Sequence, residues 1–297
     1  MSAAEENLLP EVSLIQGRIE EVSLGEPTVH GQMAIFPLLD KEESALDYLT
    51  LDESIANGYA HVTEVDESGD VPELKFRNSS DKRIFLMEGE ELVGAKQNRT
   101  LNLSILAPAE REITIPVTCV ESGRWSYNSE RFDSSDRVHY SRGRRKKMAS
   151  VSEHMSFCNR PEANQSAVWD EISSKELRMK SFSPTSSMGA IFEKNKGRLS
   201  DYVKAFTAIE NQAGMLVMVG DDIVGLDLFD NKETLKKLMP KLVRSFALDA
   251  LELNTRKKYQ PETEDAKDLL KKTATANTSN HPAVGDGNNL RLQSEEV

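Results

Sequence analysis

The sequence predicts an α+β protein: a mostly antiparallel β-sheet or sandwich core, with helices from the C-terminal half packed on it. Three observations lead there. Short runs rich in Val, Ile, Thr and Phe, broken by turn-forming residues, fill the chain from Gly17 to Tyr127. Helical spacing of apolar residues dominates only after that point. Alternating βα units, the mark of a parallel doubly wound sheet, are missing before residue 128.

Taken in order, strands are expected at 33–38, 60–65, 71–77, 83–87, 100–106 and 112–117. Asp66-Glu-Ser-Gly-Asp70 and Asn78-Ser-Ser-Asp81 supply the side chains and the glycine that reversals need. One helical insertion is expected at 50–57, where Thr50 or Asp52 can cap the start and Gly58 can end it. After Tyr127 a polar connection leads to helices near 144–155 and 161–179, the second with Pro161 in its first turn. Residues 181–195, rich in Ser, Thr and Gly, read as a loop, and Ser200 caps a helix reaching Ile209. Strands at 214–219 and 223–229 join through Gly220-Asp221, a dipeptide suited to a tight primed turn.

The helix at 231–253 is the clearest element. Leu235, Leu238, Met239, Leu242, Val243, Phe246, Ala247 and Leu251 recur at three, four and seven. Pro240 should kink it or begin a second helix, because its ring removes a hydrogen bond to the preceding turn. Residues 1–16 read as an N-terminal extension and 17–253 as one α+β domain. Residues 254–297 read as a disordered polar tail, since they hold too few apolar side chains to offset the entropy of ordering. No period of 20–50 residues repeats, so a solenoid or propeller is not indicated.

Composition narrows the function classes. The chain has 297 residues and 38% hydrophobic content, enough for a core, and a net charge of −12. That charge disfavours a duty built on phosphate-backbone contacts, so no nucleic-acid partner is expected. The basic run Arg142-Gly-Arg-Arg-Lys-Lys147 reads as the solvated face of a helix, with Met148, Val151 and Met155 turned the other way. Residues 1–6 carry two acids and no base, unlike a secretory signal, and apolar stretches fall far short of the roughly 20 residues that span a bilayer. No membrane partner is expected. Cys119 and Cys158 lie in dissimilar segments, which fits free thiols and a cytoplasmic location. The five histidines lack ligand spacing and no phosphate-loop, dinucleotide, zinc-protease or nucleophile-elbow motif occurs, so neither metal nor cofactor is expected.

Two segments concentrate chemistry. Glu88-Gly-Glu-Glu-Leu-Val-Gly-Ala-Lys-Gln-Asn-Arg99 packs acids, bases, amides and glycines between strands. Lys96, Gln97 and Arg99 supply donors for an anionic or polar ligand, so the segment reads as a ligand-binding loop; a polar surface hairpin with paired charges is the alternative. In Pro116-Val-Thr-Cys-Val-Glu-Ser-Gly-Arg-Trp-Ser-Tyr127, alternation puts Cys119 and Glu121 on one face. Negative charge beside a thiol raises its pKa, so Cys119 reads as a packed small residue and not a nucleophile. Arg124 next to Trp125 suits stacking on a ring and pairing with a phosphate, though a Trp covering the core rim would look the same.

These stretches, with Val224-Gly-Leu-Asp-Leu-Phe-Asp230 and Pro240-Lys-Leu-Val-Arg-Ser-Phe-Ala-Leu-Asp-Ala250, resemble a known family: the ADP-ribosylglycohydrolase- and rhodanese-phosphatase-superfamily-associated protein domain. The likeness runs from about Gly17 to Leu253. Where the family's pattern has a glutamine after the glutamate of the second motif, this chain has Ser122. The resemblance implies work near NAD-derived or phosphorylated ligands. It points to Glu88, Glu90, Lys96, Gln97, Arg99, Glu121, Arg124 and Trp125, with Asp227 added from the later strand. It also implies an ADP-ribosylglycohydrolase or a rhodanese-type phosphatase as functional associates, and assigns no reaction.

Three readings follow. One is a non-catalytic binding or sensor domain for a small anionic, nucleotide-like ligand such as ADP-ribose, accessory to ADP-ribose or phosphate metabolism. Another is an enzyme hydrolysing a nucleotide-like or ADP-ribosyl substrate, with Glu90 or Glu121 as acid or base. The third is a protein-interaction scaffold. For the first, the 88–99 loop and the 119–125 strand end should converge on one pocket.

Overall fold

The computed structural model describes residues 15–42, 44–66, 72–253 and 259–294. Helix α1 covers 15–21, followed by β1 (Ser23–Leu24), β2 (Thr28–His30), β3 (Met33–Leu39) and β4 (Tyr48–Thr50). Then come α2 (Leu51–Ala56), β5 (Ala60–Glu64), β6 (Glu73–Asn78), β7 (Arg83–Leu86), β8 (Glu90–Gly94), β9 (Arg99–Leu101), β10 (Ile105–Ala107), β11 (Glu112–Cys119) and β12 (Phe132–Val138). The helical half holds α3 (Ser141–Cys158), α4 (Gln165–Met179), α5 (Met188–Lys194) and α6 (Lys196–Ala205). Hairpin β13 (Gln212–Val219) and β14 (Asp222–Leu228), α7 (Lys232–Glu252), α8 (Thr263–Ala274) and hairpin β15 (Asn277–Pro282) and β16 (Asn288–Gln293) complete the chain.

Two β systems organise these elements. A closed antiparallel barrel runs β11-β6-β5-β12-β8-β9 and is filled by Val62, Leu74, Phe76, Leu92, Leu101, Ile115, Val117 and Phe132. A second antiparallel sheet runs β1-β3-β13-β14, with β2 also on β3. One face of that sheet meets α4 to α7 through Met33, Ile35, Met215 and Val217, and the other carries Phe36, Leu216 and Met218 under Tyr259 and Ala266. A small sheet, β10-β7-β4, contains a parallel pair, β4 with β7. Thus the α+β, mainly antiparallel architecture is present, with six strands between residues 60 and 138 closed into a barrel.

Several local expectations hold for the reasons given. Thr50 caps α2 in a full capping box with Glu53. Gly220 takes a positive φ of 59° at the β13–β14 turn. Others change. Helix α4 opens on Asn164, whose side chain accepts from Ala167 N, and not on Pro161. Helix α5 forms inside the expected 181–195 loop because Met188, Ile191 and Phe192 can be buried together. Ser200 lies inside α6. Helix α7 runs through Pro240 as one element: its buried face outweighs the cost of one lost backbone bond, about 3 kcal/mol. The expected strand 100–106 divides into β9 and β10 around Asn102, whose amide donates to Pro161 O and whose carbonyl accepts from Thr118 Oγ1. The turn at 66–70 lies largely outside the described residues.

Three corrections bear on function. The 88–99 segment is not a loop: it is β8, a turn and the start of β9, almost wholly buried, because distant cations pair its acids. The basic run 142–147 is not simply a solvated face: Arg144 and Lys147 turn inward onto Glu88. Residues 259–294 carry α8 and the β15–β16 hairpin, where a disordered tail is expected over 254–297; the rest of that stretch lies outside the described residues. Tyr259, Ala266 and Leu269 land on the sheet face bearing Phe36 and Leu216, and Val284 packs against the barrel core. Among the described residues, no helix is long and apolar enough to cross a membrane.

Candidate functional site

Strand alternation brings three polar side chains to one end of the barrel interior. In β5, Ala60 and Val62 face inward, and so does Glu64; Leu101 does the same for Arg99 in β9, and Ile115 and Val117 for Cys119 in β11. Arg99 is fully buried. Its Nη1 donates to Gln97 O at 3.1 Å and Gln97 Oε1 at 3.3 Å, whereas Nε and Nη2 have no hydrogen-bond partner. Glu64 Oε1 lies 4.0 Å from Arg99 Nη2, and Glu64 Oε2 is also buried without a partner. Burial, together with Glu64, pushes the Cys119 thiol up to about 11 despite the opposing pull of Arg99, so it stays protonated near neutrality.

Aromatic rings close this end. Lys96 Nζ lies 5.4 Å from the Trp125 ring centroid and 5.1 Å from that of Tyr127, and Arg99 Cζ lies 5.7 Å from Trp125. Trp125 itself is 50% exposed. Arg124 is the clamp that brings the two segments together. It donates to Glu121 Oε2 (2.9 Å), Ala95 O (2.7 Å) and Asn98 Oδ1 (3.0 Å). Glu121 also accepts from Thr185 Oγ1 at 2.8 Å. Ala95 is held at a φ of +38°, a strained conformation that aims its carbonyl at Arg124. Gly94, at +137°, admits no side chain: a Cβ would sit 2.6 Å from Arg131 O.

The sequence-derived residues therefore divide. Lys96, Gln97, Arg99, Glu121, Arg124 and Trp125 meet at the barrel end. Glu88 and Asp227 belong to another network, in which Arg144 donates to Glu88 Oε2 at 2.6 Å and to both Asp227 oxygens at 2.8 and 3.1 Å. Lys147 Nζ lies 2.7 Å from Glu88 Oε1. Burial opposes ionisation of Glu88, yet Lys147 and Arg144 hold its carboxyl below the usual range. Glu90, at the opposite end of β8 from Gly94, pairs with Lys241 Nζ at 2.8 Å and accepts from Met87 N at 2.9 Å. Glu64 and Tyr127 were missed by sequence reasoning. Alternation with Ala60 and Val62 could have found Glu64; nothing local marks Tyr127. Among the described residues, no group of three or more His, Cys, Asp or Glu side chains could hold a metal ion.

Fold and site together define a barrel-containing α+β domain whose buried arginine lies under an aromatic cap. Residues 21–297 match the ARG and Rhodanese-Phosphatase-superfamily-associated Protein domain, ARPP-1, and the chain belongs to that family. The match includes the C-terminal helix and hairpin. No curated protein and no solved structure matches the chain.

Proposed function

We propose that the capped barrel end binds a small anionic, nucleotide-like ligand and that the protein is a non-catalytic binding or sensor module, accessory to ADP-ribose or phosphate metabolism. One observation carries this reading: the Nε–Nη2 edge of Arg99 is buried without a hydrogen bond, its nearest carboxylate, Glu64, standing 4.0 Å from Nη2. That edge is the fork that receives two oxygens of a carboxylate or phosphate, and leaving it empty costs free energy that a ligand would recover. Trp125, half exposed over the guanidinium, would swing aside to admit the ligand and then stack on its planar group. The family's association with ADP-ribosylglycohydrolases and rhodanese phosphatases favours ADP-ribose or a related phosphate ester.

The enzyme reading has less support. Glu90 and Glu121, its candidate acids and bases, are each held by a cation and a backbone or hydroxyl donor, as suits structural acceptors. The test is calorimetry and Trp fluorescence with ADP-ribose, NAD and simple nucleotides. Arg99→Met, which preserves side-chain volume, should weaken binding by roughly 1.5–3 kcal/mol, the worth of hydrogen bonds to a charged group. Equal affinities for wild type and variant, or no binding by any of these compounds, would remove the proposal.

A further inference from the structure

A cleft of about 620 Å³ lies between the body of the protein and the C-terminal hairpin, distinct from the barrel end. Its floor holds the Glu88–Arg144–Asp227 network, its walls include Phe85 and Phe229, and its roof is residues 283–291. The hairpin is seated firmly there. Asp286 N donates to Leu106 O at 2.8 Å and Arg83 Nε to Asp286 Oδ2 at 2.6 Å. Gly285 approaches so closely that a Cβ would lie 2.2 Å from Leu106 O.

This seating carries Arg291 into the cleft lining. Among the described residues its guanidinium has one hydrogen bond, Nη2 to the Met155 thioether at 3.5 Å, and Nε is buried with no partner. Glu88 and Asp227 are already taken by Arg144 and Lys147, and Asp286 by Arg83. Three cations, Arg144, Lys147 and Arg291, thus face two carboxylates, and the charge in excess is that of Arg291. Burial pulls the Arg291 guanidinium below its ordinary range, outweighing the opposing effect of Glu88, as expected of a cation lacking a close counter-ion.

We infer that this cleft is a second ligand site, completed by the C-terminal hairpin, for an organic anion bearing one negative charge on an apolar or aromatic body. The anion, a carboxylate or a phosphodiester, pairs with Arg291, and the body lies against Phe85 and Phe229. The site is separate from the barrel end and stands whether or not that end binds a nucleotide-like ligand. The fixed Glu88–Arg144–Lys147–Asp227 network shapes the floor and is internally balanced, so the one cation in excess, Arg291, matches a single negative charge.

Calorimetry on the full chain tests it, with benzoate and diphenyl phosphate as the two anionic probes and benzamide as the neutral control. At least one anion should bind at millimolar concentration, and which one identifies the headgroup; benzamide should bind at least roughly tenfold more weakly, the loss expected without the ionic hydrogen bonds. Arg291→Met should weaken the anion by a similar factor, and Arg99→Met should leave it unchanged. In the wild type, amide exchange at 283–291 should slow when the anion is present, a readout that needs no variant to fold. Absence of binding by both anions, equal binding of benzamide, an unaffected Arg291→Met protein or unchanged exchange at 283–291 would each overturn the inference. Binding lost in Arg99→Met and retained in Arg291→Met would place the anion at the barrel end instead.

Discussion

Replacing Glu90 with Gln should unfold the protein more readily, and the size of the effect separates a structural carboxylate from a catalytic one. Glu90 is 1% exposed, and the Lys241 side chain that pairs with it at 2.8 Å is 5% exposed. The pair ties α7 to the barrel, and Asp52 of α2, 2.7 Å from the same ammonium, adds a third element. Taking one partner from a buried ion pair typically costs about 3–5 kcal/mol, because the other charge is left uncompensated. Asp52 still holds Lys241 in the variant, so the lower end, about 3 kcal/mol, applies. At a few degrees per kcal/mol for a chain of this size, the midpoint should fall by roughly 6–12 °C. Urea titration of Glu90→Gln, Lys241→Met and the double variant measures the coupling: the double variant should be clearly less unstable than the sum of the two single ones. Burial opposes the charge on Lys241, but Glu90 and Asp52 raise its pKa above the ordinary 10.5. The stability added by ionisation of Lys241 is therefore fully present just below pH 10.5 and is lost as pH rises through the higher folded value. A Glu90→Gln protein within about 1 kcal/mol of wild type, with additive single effects, would refute the reasoning.

Two further outcomes follow from burial. His139 is pushed by burial, and by Lys147 beside it, from 6.5 down to about 4. Between those values the unfolded chain holds a proton the folded one does not, so this contribution is complete above pH 6.5 and falls by up to about 3 kcal/mol as pH drops towards 4. His139→Leu should flatten the decline of the urea midpoint across that window, and identical slopes would count against it. Removing residues 255–297 should destabilise the protein, although their composition alone argues that nothing would be lost. Deletion uncovers Phe36, Leu216 and Met218 and discards Tyr259; with each fully buried large apolar side chain worth about 1.5–3 kcal/mol, a loss of roughly 3 kcal/mol or more is expected. A truncated protein melting with the wild type would show that the segment only rests on the sheet.

Much of the candidate site is legible once alternation is taken seriously. Arg99 shares a face with Leu101, Cys119 with Val117, and Glu64 with Val62, so period two alone sends all three into the barrel. The same alternation is hidden at 90–94, where Glu90 and Glu91 together look too polar for a strand. Their cations come from 46 to 151 residues away: Arg137 for Glu91 at 2.5 Å and Lys241 for Glu90 at 2.8 Å. No window of sequence contains both partners. For the same reason Glu88, Glu90 and Arg99, close in sequence, end in three different networks.

By itself the sequence determined many of the strands and helices before residue 254, the mainly antiparallel sheet, the apolar stripe of α7 and the family, because these depend on local periodicity and on motifs read in line. Only the tertiary structure decided that six strands between residues 60 and 138 close into a barrel, that Arg99 is left at its end with an edge lacking hydrogen bonds, and that residues 259–294 fold back over the sheet and the Glu88 cleft. Closure, charge compensation and the docking of a weakly apolar segment depend on which surfaces meet across long separations, and the free energy of each belongs to the contact and not to either stretch of chain alone.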